Sequence, residues 1–484
     1  MRRTKIVATL GPATDDPKVI DDLVKAGVDV VRLNFSHGSH DEHRRRAEMV
    51  RASAEKQGRV VGVLADLQGP KIRVQRFVNG EIYLNEGDSF TLDMALDKNA
   101  GNQERVGVTY TSLAKDVKAD DSLLLDDGRV VLEVEKVEGD EIRTKVKVGG
   151  KLSNSKGINL QGGGLSAPAL TEKDLEDIKV IADIQADYVA VSFVRTADDI
   201  LKCRELLRNA GGYGAIVAKI ERAEAMYVLD EIVNAADAIM IARGDLGVEV
   251  GDAELPAIQK ELIKKARSLD RVVITATQMM ESMIENPIPT RAEVFDVANA
   301  VLDGTDAVML SGETASGKYP AKVIKAMGRI CQEAEKQRLA QVSDHRVNLA
   351  FKRVDEAIAM ATMYTANHLD VKAIAALTES GATVLWMSRI SSGIPIYALT
   401  RHLQTLRKLT LYRGVYPIKV DLDKIDHGQI NRDVAAVLTE HCVVADGDHV
   451  IITKGDLAGV DGGTNAMKII CIGNLSRNIP DQLK

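Results

Sequence analysis

The chain has 484 residues, with 63 Lys plus Arg against 70 Asp plus Glu, a formal net charge of −7. At roughly 100–200 residues per domain it has room for two to four domains, and 45% hydrophobic with 27% charged residues excludes a disordered or fibrous chain. The mild acidity and 4% aromatic content argue against a nucleic-acid partner, whether bound by a basic field or by base stacking.

The first segment, MRRTKIVATLGPAT, starts with charge, but Lys5 and Gly11-Pro12 cut its apolar run too short for a secretory signal. No stretch reaches the roughly 18 apolar residues of a membrane helix. Cys203, Cys331, Cys442 and Cys471 lie far apart, without disulfide or metal-ligand spacing. The expectation is a soluble, cytoplasmic protein with reduced thiols and no membrane partner.

Short apolar runs then recur at 5–9, 28–36, 60–67, 188–193, 215–221, 238–245, 272–277 and 307–313. Continuous runs of this length suit strands buried on both faces of a parallel sheet. Helical stretches such as 41–57 and 254–269 lie between them, and TEKD at 171–174 is a capping box. Eight such strands predict a (β/α)₈ TIM barrel. Mid-strand spacings are 22–34 residues except for 127 between positions 63 and 190. The surplus, with alternating segments such as EIYL and EIRTKVKV, reads as a small all-β lid inserted over the barrel mouth. Beyond about residue 340, strand-like AIAAL, PIYALT, YPIKV, HVIIT and KIICIG predict an open-sheet α/β domain. The predicted division is barrel 1–69, lid 70–165, barrel 166–342 and C-terminal regulatory domain 343–484.

Candidate chemistry gathers at the strand ends. Residues i and i+2 of a strand share a face, which groups Arg32 with Asn34 and Ser36, Lys219 with Glu221, Arg243 with Asp245, Thr275 with Thr277, and Ser311 with Glu313; Asp66 ends the third strand. Polar pairs on five strands of one barrel fit its open end. Glu221 and Asp245 are hard oxygen ligands suited to Mg²⁺ or Mn²⁺. Arg32 and Lys219 are cations able to stabilise a transferring phosphoryl group, and Gly244 leaves backbone amides open to an anion. Two glycine motifs are decoys. Gly312–Lys318 has Tyr319 where a P-loop needs Ser or Thr, and Gly162-Gly163-Gly164 reads as a hinge.

Read together, RTKIVATLGPAT (3–14), VVRLNFSHG (30–38), AKIERAEA (218–225), IARGDLGVE (241–249), ATQMMESM (276–283), PTRAEVFDVANAVLDGTDAVMLSGETA (289–315) and LYRGVYP (411–417) resemble the pyruvate kinase family over essentially the whole chain. The resemblance implies a homotetramer that transfers phosphate from phosphoenolpyruvate to ADP. It implies that Glu221 and Asp245 hold the divalent metal and that Lys219 neutralises the moving phosphoryl group. Arg32 would contact the phosphates, and Asn34, Ser36, His37, Arg73 and Lys156 would serve the nucleotide. Gly244, Asp245 and Thr277 would bind phosphoenolpyruvate, with a water near Thr277 and a Ser311–Glu313 relay as the expected proton source.

One departure bears on cofactors. Family members that need K⁺ hold it with residues matching Asn34, Ser36, Asp66 and a Thr, and this chain has Leu67 in the Thr position. Such members carry Glu where this chain has Lys71, whose ammonium can supply the missing charge. The expectation is Mg²⁺- or Mn²⁺-dependent activity without K⁺. In the C-terminal domain Thr378, Ser380, Gly381 and Thr383 open a helix and offer a cradle for an effector phosphate, matching the loop where the family places sugar-phosphate activators; a loop at 459–465 is placed to close over it. The competing readings are a metal-dependent aldolase or lyase on a related barrel, or a sugar-phosphate sensor with an inactive barrel.

Overall fold

The structure is a computed structural model that describes residues 1–341, 350–420, 429–456 and 462–473. Its centre is a closed barrel of eight strands: β1 (Lys5–Leu10), β2 (Val30–Asn34), β3 (Gly62–Asp66), β4 (Tyr188–Val191), β5 (Ala215–Ile220), β6 (Ala238–Ala242), β7 (Val272–Ala276) and β8 (Ala307–Leu310). Neighbours in sequence are neighbours in space, β8 closes on β1, and every pairing is parallel.

The strands are buried throughout because alternate residues serve two layers. Ile6, Ala8, Val31, Leu33, Val63, Ala65, Val189 and Val191 pack outward against the helices. Val7, Val30, Leu64, Ala190, Val217, Met240, Ile274 and Met309 fill the lumen. The surrounding helices carry the caps their sequences predict. Ser39 and Glu42 form a capping box on helix His40–Lys56, and Thr171 and Asp174 form the one read at TEKD on helix Glu172–Asp183.

Between β3 and β4 the chain builds a separate, mainly antiparallel six-stranded sheet in the order Ile158–Leu160, Ser122–Leu125, Val130–Glu138, Glu141–Val148, Ser89–Asp93, Arg105–Val106. It has its own core around Val74, Leu92, Leu132 and Ile142. Gly162, Gly163 and Gly164, on the return path to the barrel, all have left-handed φ of +82°, +81° and +105°. That left-handed backbone is what favours glycine at this junction; a Cβ on Gly163 would also displace the Glu224 carboxylate, 2.0 Å away.

The C-terminal sheet runs Val415–Lys419, Ile396–Thr400, Ala373–Leu377, His449–Gly455, Thr464–Cys471, the last strand antiparallel to the rest. This domain closes the barrel floor. Leu409, Leu411 and Val415 belong to the same apolar cluster as the lumen residues. Lys5 Nζ donates to the Val415 carbonyl at 2.5 Å, Tyr188 Oη donates to the Lys408 carbonyl, and Arg389 forms a bidentate pair with Asp306, both about 1–2% exposed. With the floor covered by this domain, the C-terminal ends of the strands are left facing the lid. No helix among the described residues is long and apolar enough to cross a membrane.

Candidate functional site

At the open end the inward positions turn from apolar to polar. Two residues beyond Val7, Val30, Leu64, Ala190 and Val217, the same faces carry Thr9, Arg32, Asp66, Ser192 and Lys219. Asp66 is 1% exposed; its Oδ2 accepts Arg32 Nε at 2.7 Å and its Oδ1 lies 3.3 Å from Lys219 Nζ. Lys219 Nζ also reaches Glu221 Oε1 at 2.8 Å and donates to Ser192 Oγ at 2.7 Å. Ser192 in turn donates to the Leu67 carbonyl, and Arg32 Nη1 donates to Thr9 Oγ1.

Three strands thus converge on one buried ammonium. Burial pulls Lys219 down, but Asp66 and Glu221 outweigh it and hold it at about 12, so it is charged throughout the neutral range. Burial likewise raises Asp66, but Lys219 and Arg32 prevail and keep it below the usual carboxylate range.

Glu221 lies just past β5, and its other oxygen accepts the Phe193 amide at 2.7 Å. Burial, reinforced by the Asp245 carboxylate, pushes Glu221 above its ordinary value against the pull of Lys219. Glu221 and Asp245 are two hard oxygen donors close enough to feel each other's charge, a donor set that fits Mg²⁺ or Mn²⁺. Among the described residues no three His, Cys, Asp or Glu side chains group as a metal cage, so such an ion would complete its shell from water and substrate. Gly244 donates its amide to Thr277 Oγ1 at 2.9 Å, and a Cβ there would meet nothing nearer than 3.7 Å. Packing therefore does not demand glycine at 244.

Several expectations from strand periodicity are corrected. β6 ends at Ala242 and a helix, Arg243–Val250, begins there, so Arg243 and Asp245 do not share a strand face. Arg243 instead runs beneath the next loop, donating to the Ala276 and Thr277 carbonyls and pairing with Asp296 at 2.7 Å. Thr275 faces the outer layer, bonded to Thr305. Thr277 reaches the site because its backbone breaks from the strand at φ +66°, followed by Gln278 at +53°.

β8 ends at Leu310. The buried Glu313 carboxylate, raised by burial, accepts the amides of Met280 and Ser311, and none of its hydrogen bonds reaches Thr277. Lys71 stands 3.1 Å from Asp245 Oδ1, while Asp66 is taken by Arg32 and Lys219; Asn34 Oδ1 accepts the Ser36 amide. Of the four residues read as a monovalent-cation site or its replacement, Asp66 and Lys71 thus belong to separate ion pairs, while Asn34 and Ser36 bond to each other.

The candidate nucleotide residues line the junction with the lid. Burial lowers His37 below its ordinary value, helped by the nearby cations Arg73, Arg32 and Lys71. Arg73 donates to the Ser155 carbonyl and bridges Gly157, and Lys156 pairs with Asp126 at 2.8 Å. In the C-terminal domain Thr378 Oγ1 accepts the Gly381 amide at 2.9 Å, Gly381 has φ +84°, and Thr383 bonds Thr464 at 2.8 Å. Thr464 falls within the segment read as a loop at 459–465, but it already begins the last strand, and 459–461 lie outside the described residues.

Sequence reasoning passed over Thr9, Ser192 and the Phe193 amide as site residues. Thr9 and Ser192 stand inside apolar runs two positions beyond a lumen residue, a signal that was legible. The Phe193 amide depends on φ +54° and was not.

Comparison with known proteins agrees with this geometry. Residues 1–324 match the family model for the pyruvate kinase barrel domain, and 356–470 match the one for the pyruvate kinase alpha/beta domain. Pyruvate kinase II of Salmonella typhimurium is 55% identical over 98% of this chain and 99% of that protein. A pyruvate kinase of Buchnera aphidicola subsp. Schizaphis graminum is 54% identical over 97% and 98%, and one of Mycobacterium intracellulare 44% identical over 98% and 99%.

Proposed function

The chain belongs to the pyruvate kinase family, a phosphotransferase acting on phosphoenolpyruvate and ADP, and from that premise we propose how its residues divide the work. The observation that carries the reading is Lys219, an ammonium held at about 12 between Asp66, Glu221 and Ser192 at the barrel mouth. It meets the negative charge of the phosphoryl group as the bond to the enol oxygen breaks and the bond to the ADP oxygen forms. Because its three partners fix its position, little reorganisation is needed at that moment.

Glu221 and Asp245 would hold Mg²⁺ or Mn²⁺, which when bound would supply positive charge against the negative charge that develops during transfer. Arg32, oriented by Asp66 and Thr9, binds phosphate. Asn34, Ser36, His37, Arg73 and Lys156 bind the nucleotide. Gly244, Asp245 and Thr277 seat phosphoenolpyruvate, and a water near Thr277 supplies the proton that the enolate takes up, on the side where Ser311 and Glu313 hold the neighbouring loop.

Arg32, Lys71 and Lys219 balance Asp66, Glu221 and Asp245, so the six side chains are neutral together. A divalent cation and an anionic substrate therefore favour each other's binding. With Lys71 built in and Leu67 lacking a hydroxyl, the enzyme turns over without K⁺. Thr378, Ser380, Gly381 and Thr383 bind the phosphate of an allosteric activator, and the enzyme works as a cytoplasmic homotetramer.

The test is pyruvate release from phosphoenolpyruvate, ADP and Mg²⁺ with K⁺ present or replaced by a tetraalkylammonium salt. Turnover in both conditions, abolished by Lys219→Met, is expected. A rate that collapses without K⁺ would refute the role of Lys71, and full activity in Lys219→Met would refute the central assignment.

A further inference from the structure

The loop after β2 carries Asn34, Ser36 and His37 and is anchored at the residue between them. Phe35 is 1% exposed, and its amide donates to the Asp66 carbonyl at 2.9 Å. Its ring stacks on His43 with centroids 4.2 Å apart. Its carbonyl accepts Lys173 Nζ at 2.7 Å, from a helix 138 residues later that begins after the chain returns from the lid.

Lys173 is itself held by Asp177 Oδ2 at 2.6 Å, one helical turn on. The other oxygen of Asp177 receives His40 Nε2 at 2.8 Å, and His40 is the first residue of the helix that ends the same loop. Both ends of the segment 35–40 therefore converge on one carboxylate that is 0% exposed. One turn earlier, Asp174 Oδ1 accepts the amide of Gly69, the residue where the chain leaves for the lid. The first turn of helix Glu172–Asp183 thus grips the loop and the outgoing lid strand together.

A carboxylate without solvent is costly unless its partners are fixed. Here those partners are the two tethers of a loop whose neighbouring side chains turn into the site. We propose that Lys173, held by Asp177, is a positioning residue for ADP: it sets the Asn34–His37 loop through the Phe35 carbonyl and never touches the nucleotide. This rests on the reading of that loop as nucleotide-binding. It also gives the lid a physical route to the loop, through the shared helix turn.

The test compares Lys173→Met and Lys173→Arg with the unaltered enzyme. The Lys173 side chain is about half exposed and His40 still pairs with Asp177 in both variants, and a melting curve beside the kinetics shows that each is folded. Loss of one charge-assisted hydrogen bond is expected to raise the KM for ADP about tenfold, with the KM for phosphoenolpyruvate within about twofold. Hydrogen exchange across 35–40 should quicken, and Lys173→Arg should restore most of both effects.

Asn34→Ala measured alongside separates the two ideas. If it raises the KM for ADP and Lys173→Met does not, the positioning role is overturned and the nucleotide loop stands. If neither variant moves that constant, the nucleotide reading fails and the proposal falls with it. Equal rises for both substrates in Lys173→Met would also overturn it, since a merely structural loss would act on both.

Discussion

Glu249 offers a quantitative test of the seam between lid and barrel. It lies in helix Arg243–Val250, is 6% exposed, and accepts the Ala223 amide at 2.8 Å, while its own carbonyl accepts the amide of Gly162 on the lid's return path. Burial, with Glu224 nearby, pushes its carboxyl from 4.5 up to about 7, against the Ala223 amide, Arg222 and Asn159. Below pH 4.5 both folded and unfolded chains hold the proton, and the site costs nothing. Between 4.5 and 7 the folded protein binds more protons, so stability falls as pH rises, and above 7 the whole penalty is present. The shift of 2.5 pH units, 7 less 4.5, corresponds to about 3 kcal/mol. Glu249→Gln keeps an acceptor for Ala223 and removes the charge. Thermal unfolding followed by circular dichroism should therefore show the variant about 5 °C more stable at pH 8.5, with the gain vanishing at pH 4.5. Parallel melting-temperature curves across that range would refute the argument.

Three other perturbations follow from the same geometry. Arg389→Met strands Asp306 in the covered barrel floor, where both partners are about 1–2% exposed; denaturant unfolding should show a loss of about 3–5 kcal/mol, and a loss under about 1 kcal/mol would count against it. Gly69 sits at φ +65° with its would-be Cβ 2.8 Å from Ser192 Cβ, so Gly69→Ala should push Ser192 off Lys219 and cut kcat at least about tenfold, checked by steady-state kinetics beside a melting curve. Lys71→Glu, which reverses the charge facing Asp245, should make turnover depend on added K⁺, read from the rate against K⁺ at constant ionic strength.

Much of this protein was legible in its sequence because the signals are local. The barrel strands are short continuous apolar runs, since burial on both faces leaves no polar alternation, and the one long spacing marked the lid. Thr171 and Asp174 declared a helix start because capping acts within one turn. The charged residues at the strand ends stood out because an apolar lumen does not tolerate them. Where strands end is a different matter. Period-two reasoning carried Arg243 and Thr275 into the site, but β6 stops at Ala242 and the chain coils at once into a helix. Left-handed turns at Phe193 and Thr277 then aim an amide and a hydroxyl inward.

Which cation meets which carboxylate was also beyond the sequence. Lys71 lies five residues from Asp66 yet pairs with Asp245, 174 positions away, while Lys219 and Arg32 share Asp66. Local composition determined the elements and the kinds of charge at their ends. Tertiary closure of the barrel decided the partnerships, because each depends on distances among strands that the chain brings together only when the eighth meets the first.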